Sequence, residues 1–273
     1  MKRAPVISFV VIEYHCLEEM GACTESIRHA AGDLPYEVVI SSNSGYGKGE
    51  RERLAGQFPG TKWVFNEANL GFGVAMNRGM AAASGEILAL LNPDVRIHGG
   101  LTGAVEYLRE NRGVGLLGPR VVDSAGNLQD SCRRFMTPWE LLVRQSRRVF
   151  LRQEVVLMKS FDYGAVRDVD WVIGAFMLVP RGALEAVGGF DEGFFLYVED
   201  MDWCKRFWDA GRSVVYYPSL EVEFKGDRKS VRPLLSGGIG FRYSLHHVRS
   251  YLRFLGKHGV CSPGRSRTRN PPG

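Results

Sequence analysis

The run Gly188-Gly189-Phe190-Asp191-Glu192-Gly193-Phe194-Phe195-Leu196-Tyr197-Val198-Glu199-Asp200-Met201-Asp202-Trp203-Cys204-Lys205-Arg206 crowds acidic and aromatic side chains around a loop that leads into a helix. Carboxylates beside aromatic rings suit a site where one acid stays reactive while water is partly excluded, as a general base requires. The competing explanation is a helix N-terminus that collects acidic residues to match its dipole, and spacing alone does not separate the two. Asp202 lies four residues before Arg206, the interval at which the pair meets along one helix face. Trp171 and Tyr197 are candidates for stacking on a ligand ring and, equally, candidates for the core.

A second concentration is Asn69-Leu70-Gly71-Phe72-Gly73-Val74-Ala75-Met76-Asn77-Arg78-Gly79. The third glycine of a GxGxxG dinucleotide fingerprint would fall on Met76, which excludes a Rossmann oxidoreductase. Gly71 and Gly73 still allow backbone to approach a ligand, with the N-terminus of the following helix aimed at it. Asp94, after Asn92 and Pro93, lies beyond the carboxyl end of a strand, where ligands of open α/β sheets bind. A turn former is the simpler role for such an aspartate.

The elements that must position these residues alternate as βαβα. Val6 to Ile12, Glu37 to Ile40 and Lys62 to Phe65 read as short buried parallel strands with helical or polar segments between them. Phe72 to Ala83 reads as a helix stopped by Ser84-Gly85, followed by a strand from Glu86 to Leu91. A helix from Leu101 to Asn111, a strand from Val114 to Leu117, a turn at Asp123 to Asn127 and a basic segment from Arg133 to Arg152 come next. Val169 to Val179 is the strongest later strand. It leads to a short helix from Arg181 to Val187, a helix from Met201 to Ala210 closed by Gly211, and a strand from Ser213 to Tyr217.

With 273 residues, 45% of them hydrophobic, the chain is long enough for one large core or one domain with a small appendage. No apolar run reaches the ~18 residues of a membrane span, and the first residues lack a cleavage-site pattern, so a cytoplasmic location is expected. Cys16, Cys23, Cys132, Cys204 and Cys261 lack paired spacing and indicate reduced thiols rather than a disulfide framework or zinc site. The net charge of +5 divides unevenly: residues from Lys225 onward carry +10 and the first 224 carry −5. From Ile239 to Lys257, Phe241, Leu245, Val248, Leu252 and Leu255 recur at helical spacing beside Arg242, His246, Arg249, Arg253 and Lys257. A basic amphipathic helix of this kind either lies on an anionic membrane surface or packs on the domain; nucleic acid is not expected, because no recognition motif is present.

The acidic run resembles the Gly-Gly-Phe-Asp-Glu … Tyr-x-Glu-Asp-x-Asp signature of family 2 glycosyltransferases, particularly their rhamnosyltransferase-like members. The Asn69–Gly79 motif, Ala83-Ser84-Gly85-Glu86-Ile87 and Leu91-Asn92-Pro93-Asp94 resemble the donor-binding half of the same family, and the likeness extends to about Lys257. It implies a GT-A-like α/β fold: a mixed, mostly parallel sheet with flanking helices and a C-terminal amphipathic helix. Residues 1–225 would form the glycosyltransferase domain, with 1–98 the donor half and 99–225 the acceptor and catalytic half. Residues 226–260 would form a basic helical appendage, and 261–273 a disordered tail.

The resemblance also implies an inverting transfer of a sugar, rhamnose first among candidates, from a nucleotide-diphosphate donor to a cell-surface glycan or polyprenyl-linked acceptor, on the inner face of a membrane. By matching position, Asp200 is the catalytic base. Tyr14, Asn43, Gly71, Gly73, Asn77 and Asn92 contact the donor, and Trp171, Gly174, Tyr197 and Glu199 the acceptor. Asp94 would bind the Mg²⁺ or Mn²⁺ that holds the diphosphate.

Three positions depart from the pattern: Glu13-Tyr14-His15 replaces a Thr-Tyr-Asn, Ser42 replaces the Asp that reads the base, and Phe224 stands where a His metal ligand is usual. Phenylalanine offers no donor atom. A catalytically silent homologue acting as a binding subunit is the alternative these departures raise. A nucleotidyltransferase is disfavoured, because Glu13 to Gly21 is acidic where a basic, Gly-rich phosphate loop would be needed.

Overall fold

The computed structural model describes residues 4–135, 161–225 and 239–260. Most of the basic segment to Arg152, the tail 261–273 and Cys261 lie outside the described residues, as do the side chains of Phe241 and Arg242.

Three βα units open the chain: β1 (Ile7–Glu13), α1 (Leu17–Ala31), β2 (Tyr36–Ser42), α2 (Lys48–Gln57), β3 (Thr61–Phe65) and α3 (Phe72–Ala82). Then follow β4 (Ile87–Leu91), β5 (Val95–Gly99), α4 (Leu101–Glu110), β6 (Val114–Val122), β7 (Cys132–Arg133), β8 (Arg167–Asp168), β9 (Trp171–Val172) and β10 (Phe176–Pro180). The last described elements are α5 (Arg181–Val187), α6 (Glu199–Asp209), β11 (Ser213–Phe224) and α7 (Ile239–His258).

The main sheet runs β3-β2-β1-β4-β10-β6-β11-β5, with β8 on β11, while β7 and β9 form a separate pair. Strands β3, β2, β1 and β4 are parallel, and β10 enters antiparallel against both β4 and β6. Every residue of β1 is buried, as expected of a central parallel strand covered on both faces. Alternate residues feed two cores: Val10 and Ile12 face Met76, Trp203 and Phe207 on one side, while Phe9 and Val11 face Met20 and Ile27 on the other. The chain leaves β1 toward β2 on one flank and returns to β4 on the other, which makes the carboxyl ends of these strands a topological switch point.

Four readings of the sequence change. The single strand expected over Val169 to Val179 is broken at Ile173–Ala175, because Ile173 N–H donates to Ser131 O and Gly174 N–H is taken by the Asp200 side chain. Strand β5 follows the Asn92-Pro93-Asp94 turn, and β11 continues past Tyr217 to pair with it. Helix α6 begins at Glu199, which puts Glu199 and Asp200 in its first turn. Helix α7 is no appendage: its Tyr251 and Phe254 are buried in the same core as Trp203 and Met76.

Candidate active site

Asp200 is half-buried at the start of α6, with Oδ2 accepting the Gly174 N–H at 3.0 Å and Oδ1 accepting the Met201 N–H at 2.8 Å. Burial pushes its carboxyl above the ordinary aspartate range, and the two N–H donors and the charge of Arg133 pull against that. Glu199 beside it is 6% exposed, and its Oε2 has no hydrogen-bond partner among the described residues. Burial first, then the adjacent Asp200 charge, raises the Glu199 carboxyl well above its usual value. Both carboxyls are thus raised together, but only Asp200 has the two N–H donors that oppose the shift. Tyr197 and Val198, immediately before them, both take left-handed backbone at φ 68° and 70°. For a β-branched valine this conformation costs on the order of 1–3 kcal/mol, and such strain collects where the surrounding fold over-determines a functional segment.

The aromatic residues of the acidic run mostly serve packing. Phe190 lies 4.2 Å from Trp203 and 5.7 Å from Phe72 between ring centroids, joining α3 to α6. The Trp171 ring is buried, its N–H on Arg134 O at 3.1 Å and the Arg133 guanidinium 4.9 Å over its face, so it presents no open stacking surface. Tyr197 is half-buried against His247. Asp202 is fully buried and pairs with Arg206 at 3.0 Å, the i,i+4 contact its spacing indicates.

On the donor side the glycines act inside the fold. A Cβ on Gly71 would stand 2.4 Å from the Phe195 carbonyl oxygen, and Gly71 itself has φ 87°; a Cβ on Gly73 would press Phe190 Cβ at 3.1 Å. The loop that leads to Asp200 closes on both positions, and that contact by itself requires glycine. Asn77 likewise spends its amide on the Phe190 backbone, accepting its N–H at 2.8 Å and donating to its carbonyl at 2.9 Å. Asn43 is buried, donating to Gly71 O at 3.0 Å and accepting from Asn66 at 3.0 Å. Tyr14 is 47% exposed, and half-buried Asn92 donates its N–H to Ala175 O at 3.0 Å, so these two remain at the open edge.

Glu13 and Ser42, two of the departures, prove to be partners. They face each other in register across β1 and β2, and Ser42 Oγ donates to Glu13 Oε2 at 2.5 Å. Ser44 Oγ at 2.9 Å, Tyr46 OH at 3.1 Å and the Cys16 N–H at 3.3 Å complete the set around a carboxylate that is 0% exposed. The sequence marks Glu13 as a departure, as a substitute contact and as part of an acidic stretch, but gives it no partner; the serines and tyrosine that follow β2 are the signal that could have paired it.

The third departure sits at the remaining corner. Phe224 faces Val95 across β11 and β5, and Lys225 N–H donates to the Asp94 carbonyl at 3.1 Å. Asp94 and Phe224 are thus neighbours at the mouth of the sheet, and among the described residues no group of three or more His, Cys, Asp or Glu side chains could enclose a metal. A single carboxylate matches the way Mg²⁺ binds, through one or two carboxylates with phosphate oxygens and water filling the other positions.

The start of α3 and Asp200 meet at one place: a Cβ on Gly174 would lie 3.6 Å from Phe72 Cζ and 3.7 Å from Asp200 Cβ. Residues 8–172, more than half of the chain, match the family model described as glycosyl transferase family 2. The chain belongs to glycosyl transferase family 2. It is 28% identical over 257 residues to the N-acetylglucosaminyl-diphospho-decaprenol L-rhamnosyltransferase of Mycobacterium tuberculosis, an alignment spanning 84% of this chain and 77% of that protein. It is 29% identical over 182 residues to rhamnosyltransferase WbbL of Escherichia coli K12, covering 66% of this chain and 65% of that one. Among solved structures it resembles GalNAc-T7 with UDP, GalNAc and Mn²⁺ (TM-score 0.64, 14% identity), covering 94% of this chain but only 48% of that one. The mannosyltransferase PcManGT of Pyrobaculum calidifontis, bound to GDP-Man and Mn²⁺, matches with TM-score 0.57 and 18% identity over 92% of this chain and 65% of that one. These likenesses establish the GT-A fold, and this glycosyltransferase carries its candidate base and its candidate metal-binding aspartate on one edge of the sheet.

Helix α7 revises one further expectation. The basic side chains are not one solvated face: Arg253 and Lys257 reach Asp191 at 2.9 and 2.8 Å, and Lys257 and His258 reach Asp202 at 2.8 and 2.7 Å. Burial would raise Asp191, but Lys257, the Gly193 N–H and Arg253 outweigh it and hold that carboxyl well below the usual range. Among the described residues no helix is long and apolar enough to cross a membrane. Cys16, Cys23, Cys132 and Cys204 are all free, and burial pushes the Cys23 and Cys132 thiols up to about 12.

Proposed function

We propose that this glycosyltransferase moves rhamnose from a thymidine- or uridine-diphosphate donor to a hydroxyl of a glycan carried on a polyprenyl diphosphate, inverting the anomeric centre. The observation that carries the transfer is Asp200, fixed by the N–H groups of Gly174 and Met201 at the end of the sheet that bears Asp94. A carboxylate so held takes the acceptor hydroxyl proton as that oxygen attacks the face opposite the nucleotide. Rhamnose and the lipid-linked acceptor rest on the two rhamnosyltransferase relatives.

Glu199, with an oxygen that has no partner among the described residues, Tyr197, Gly174 and Trp171 would form the acceptor side around Asp200. On the donor side, Tyr14 and Asn92 line the open edge, while Asn43, Gly71, Gly73 and Asn77 shape the wall from within. Asp94 would hold Mg²⁺ or Mn²⁺, which when bound supplies counter-charge to the departing diphosphate. A polyprenyl-linked acceptor would bring the enzyme to the cytoplasmic face of a membrane. The test is a screen of purified protein against nucleotide sugars with a lipid-linked or short soluble N-acetylglucosaminyl acceptor, with and without the divalent ion. Product with dTDP-rhamnose or UDP-rhamnose is expected; turnover of only a different sugar would overturn the rhamnosyl reading, and no turnover with any donor the transfer itself.

A further inference from the structure

Helix α7 has two faces with different jobs. Inward, it holds the loop that precedes the base: Ser250 Oγ donates to Leu196 O at 2.9 Å, His246 stacks on Phe195 with centroids 5.0 Å apart, and Arg253 lies 5.3 Å over Phe194. Arg253 and Lys257 grip Asp191, and Lys257 and His258 grip Asp202, on the far side of Asp200. Outward, Leu245, Val248 and Leu252 are 58%, 54% and 62% exposed and recur at i, i+3 and i+7 in one stripe, with exposed Arg249 along its border. Such a stripe on a helix that has already buried its other face is surplus to folding.

We propose that Leu245, Val248 and Leu252 seat the enzyme on an anionic lipid bilayer, and that α7 acts as a strut between that surface and the base-bearing segment. This deepens the reading of a carrier-linked acceptor and rests on it. The geometry then acts as one unit: the stripe enters the headgroup layer, and the opposite face of the same helix fixes Asp191 to Tyr197 and, through Asp202, the first turn of α6. An acceptor anchored in that bilayer would meet Asp200 at a set height. The charge favours lipid as the occupant, since residues from Lys225 onward carry a net +10 against −5 for the remainder. Three aliphatic side chains also fall well short of the ~800 Å² per partner of a stable protein interface.

Flotation of the full chain with phosphatidylcholine vesicles, with and without phosphatidylglycerol, tests the docking. Wild type is expected to float with the anionic vesicles and less at high salt. Combined Leu245→Ser, Val248→Ser and Leu252→Ser should lose at least ~10-fold in binding, and Arg249→Gln ~5-fold at low salt only. All should keep wild-type melting and donor turnover on a soluble acceptor, because these side chains are exposed. Wild type that ignores anionic vesicles, a triple variant that floats equally, or a concentration-dependent dimer abolished by the triple change would each overturn lipid docking. The strut is tested by Lys257→Gln, expected to float normally while kcat on the soluble acceptor falls several-fold at unchanged donor KM, with Lys257→Arg restoring it; an unchanged kcat overturns that half. Flotation requires no donor, so protein that floats but transfers no sugar would sink only the transferase reading.

Discussion

Glu13 and Glu199 are both buried glutamates bordering the site, yet their surroundings are opposite. Glu13, 0% exposed at the end of β1, accepts from three hydroxyls and a backbone N–H. Glu199, 6% exposed at the start of α6, has an oxygen with no partner, a carboxylate next to it, and two left-handed residues leading into it. A buried polar group without a partner costs on the order of 1–3 kcal/mol, a penalty that Glu199 carries and Glu13 does not. The segments that carry the two glutamates come together where Gly71 meets Phe195 and Phe72 lies near Gly174.

The sharpest way to break this contrast is Asp200→Asn, which keeps shape and loses the proton acceptor. Turnover should fall at least ~100-fold with nucleotide affinity almost intact, and near-normal kcat would remove Asp200 from the base role. Next in size is the metal corner: Asp94→Ala should abolish the divalent-ion dependence of nucleotide-sugar binding, whereas Phe224→His should tighten Mn²⁺ by adding a nitrogen ligand. Calorimetric titration reads both, and identical Mn²⁺ affinity in all three proteins would mean the corner holds no cation.

Glu13→Gln should lower stability by about 2 kcal/mol, since hydrogen bonds to a charged group contribute ~1.5–3 kcal/mol. Denaturant melts would show it, and an unchanged midpoint would make the hydroxyl cluster incidental. In Glu199→Gln, by contrast, the fold should be nearly as stable as wild type, because the isosteric amide removes a carboxyl whose ionised form burial and the Asp200 charge disfavour.

The smallest effect is on pH dependence. The folded Asp200 carboxyl is raised above 3.8, so the rate should drop, as pH falls, at a higher pH than an ordinary aspartate would give. Glu199, raised in the same direction, favours the folded state below the pKa of an unfolded glutamate, and that contribution is lost as pH rises through its folded value. An acid limb centred on the ordinary aspartate value in a kcat profile would show that burial does not shift the base.

Much of the donor half was legible in the sequence because its signals are local. The β-branched run of β1 and the aliphatic run of β4 are strands buried on both faces, and the Ser84-Gly85 stop and the Asp202–Arg206 interval each follow from short-range periodicity. The acidic run marked the base for the same reason, as residue types and spacing are enough to flag a helix-start carboxylate. What Gly71, Gly73 and Asn77 touch was not legible, because their partners Phe195 and Phe190 lie more than a hundred residues away along the chain. The Glu13–Ser42 exchange was seen as two separate departures until the parallel register of β1 and β2 placed one opposite the other. The break at Gly174 had the same cause, a backbone N–H diverted to a side chain on α6. For α7, the sequence determined that apolar and basic residues share a helix, but periodicity carries no information about which stripe meets the core. Only the packing of Tyr251 and Phe254, with Asp191 and Asp202 waiting to pair with Arg253 and Lys257, decided that the leucines at 245 and 252 would be left facing out.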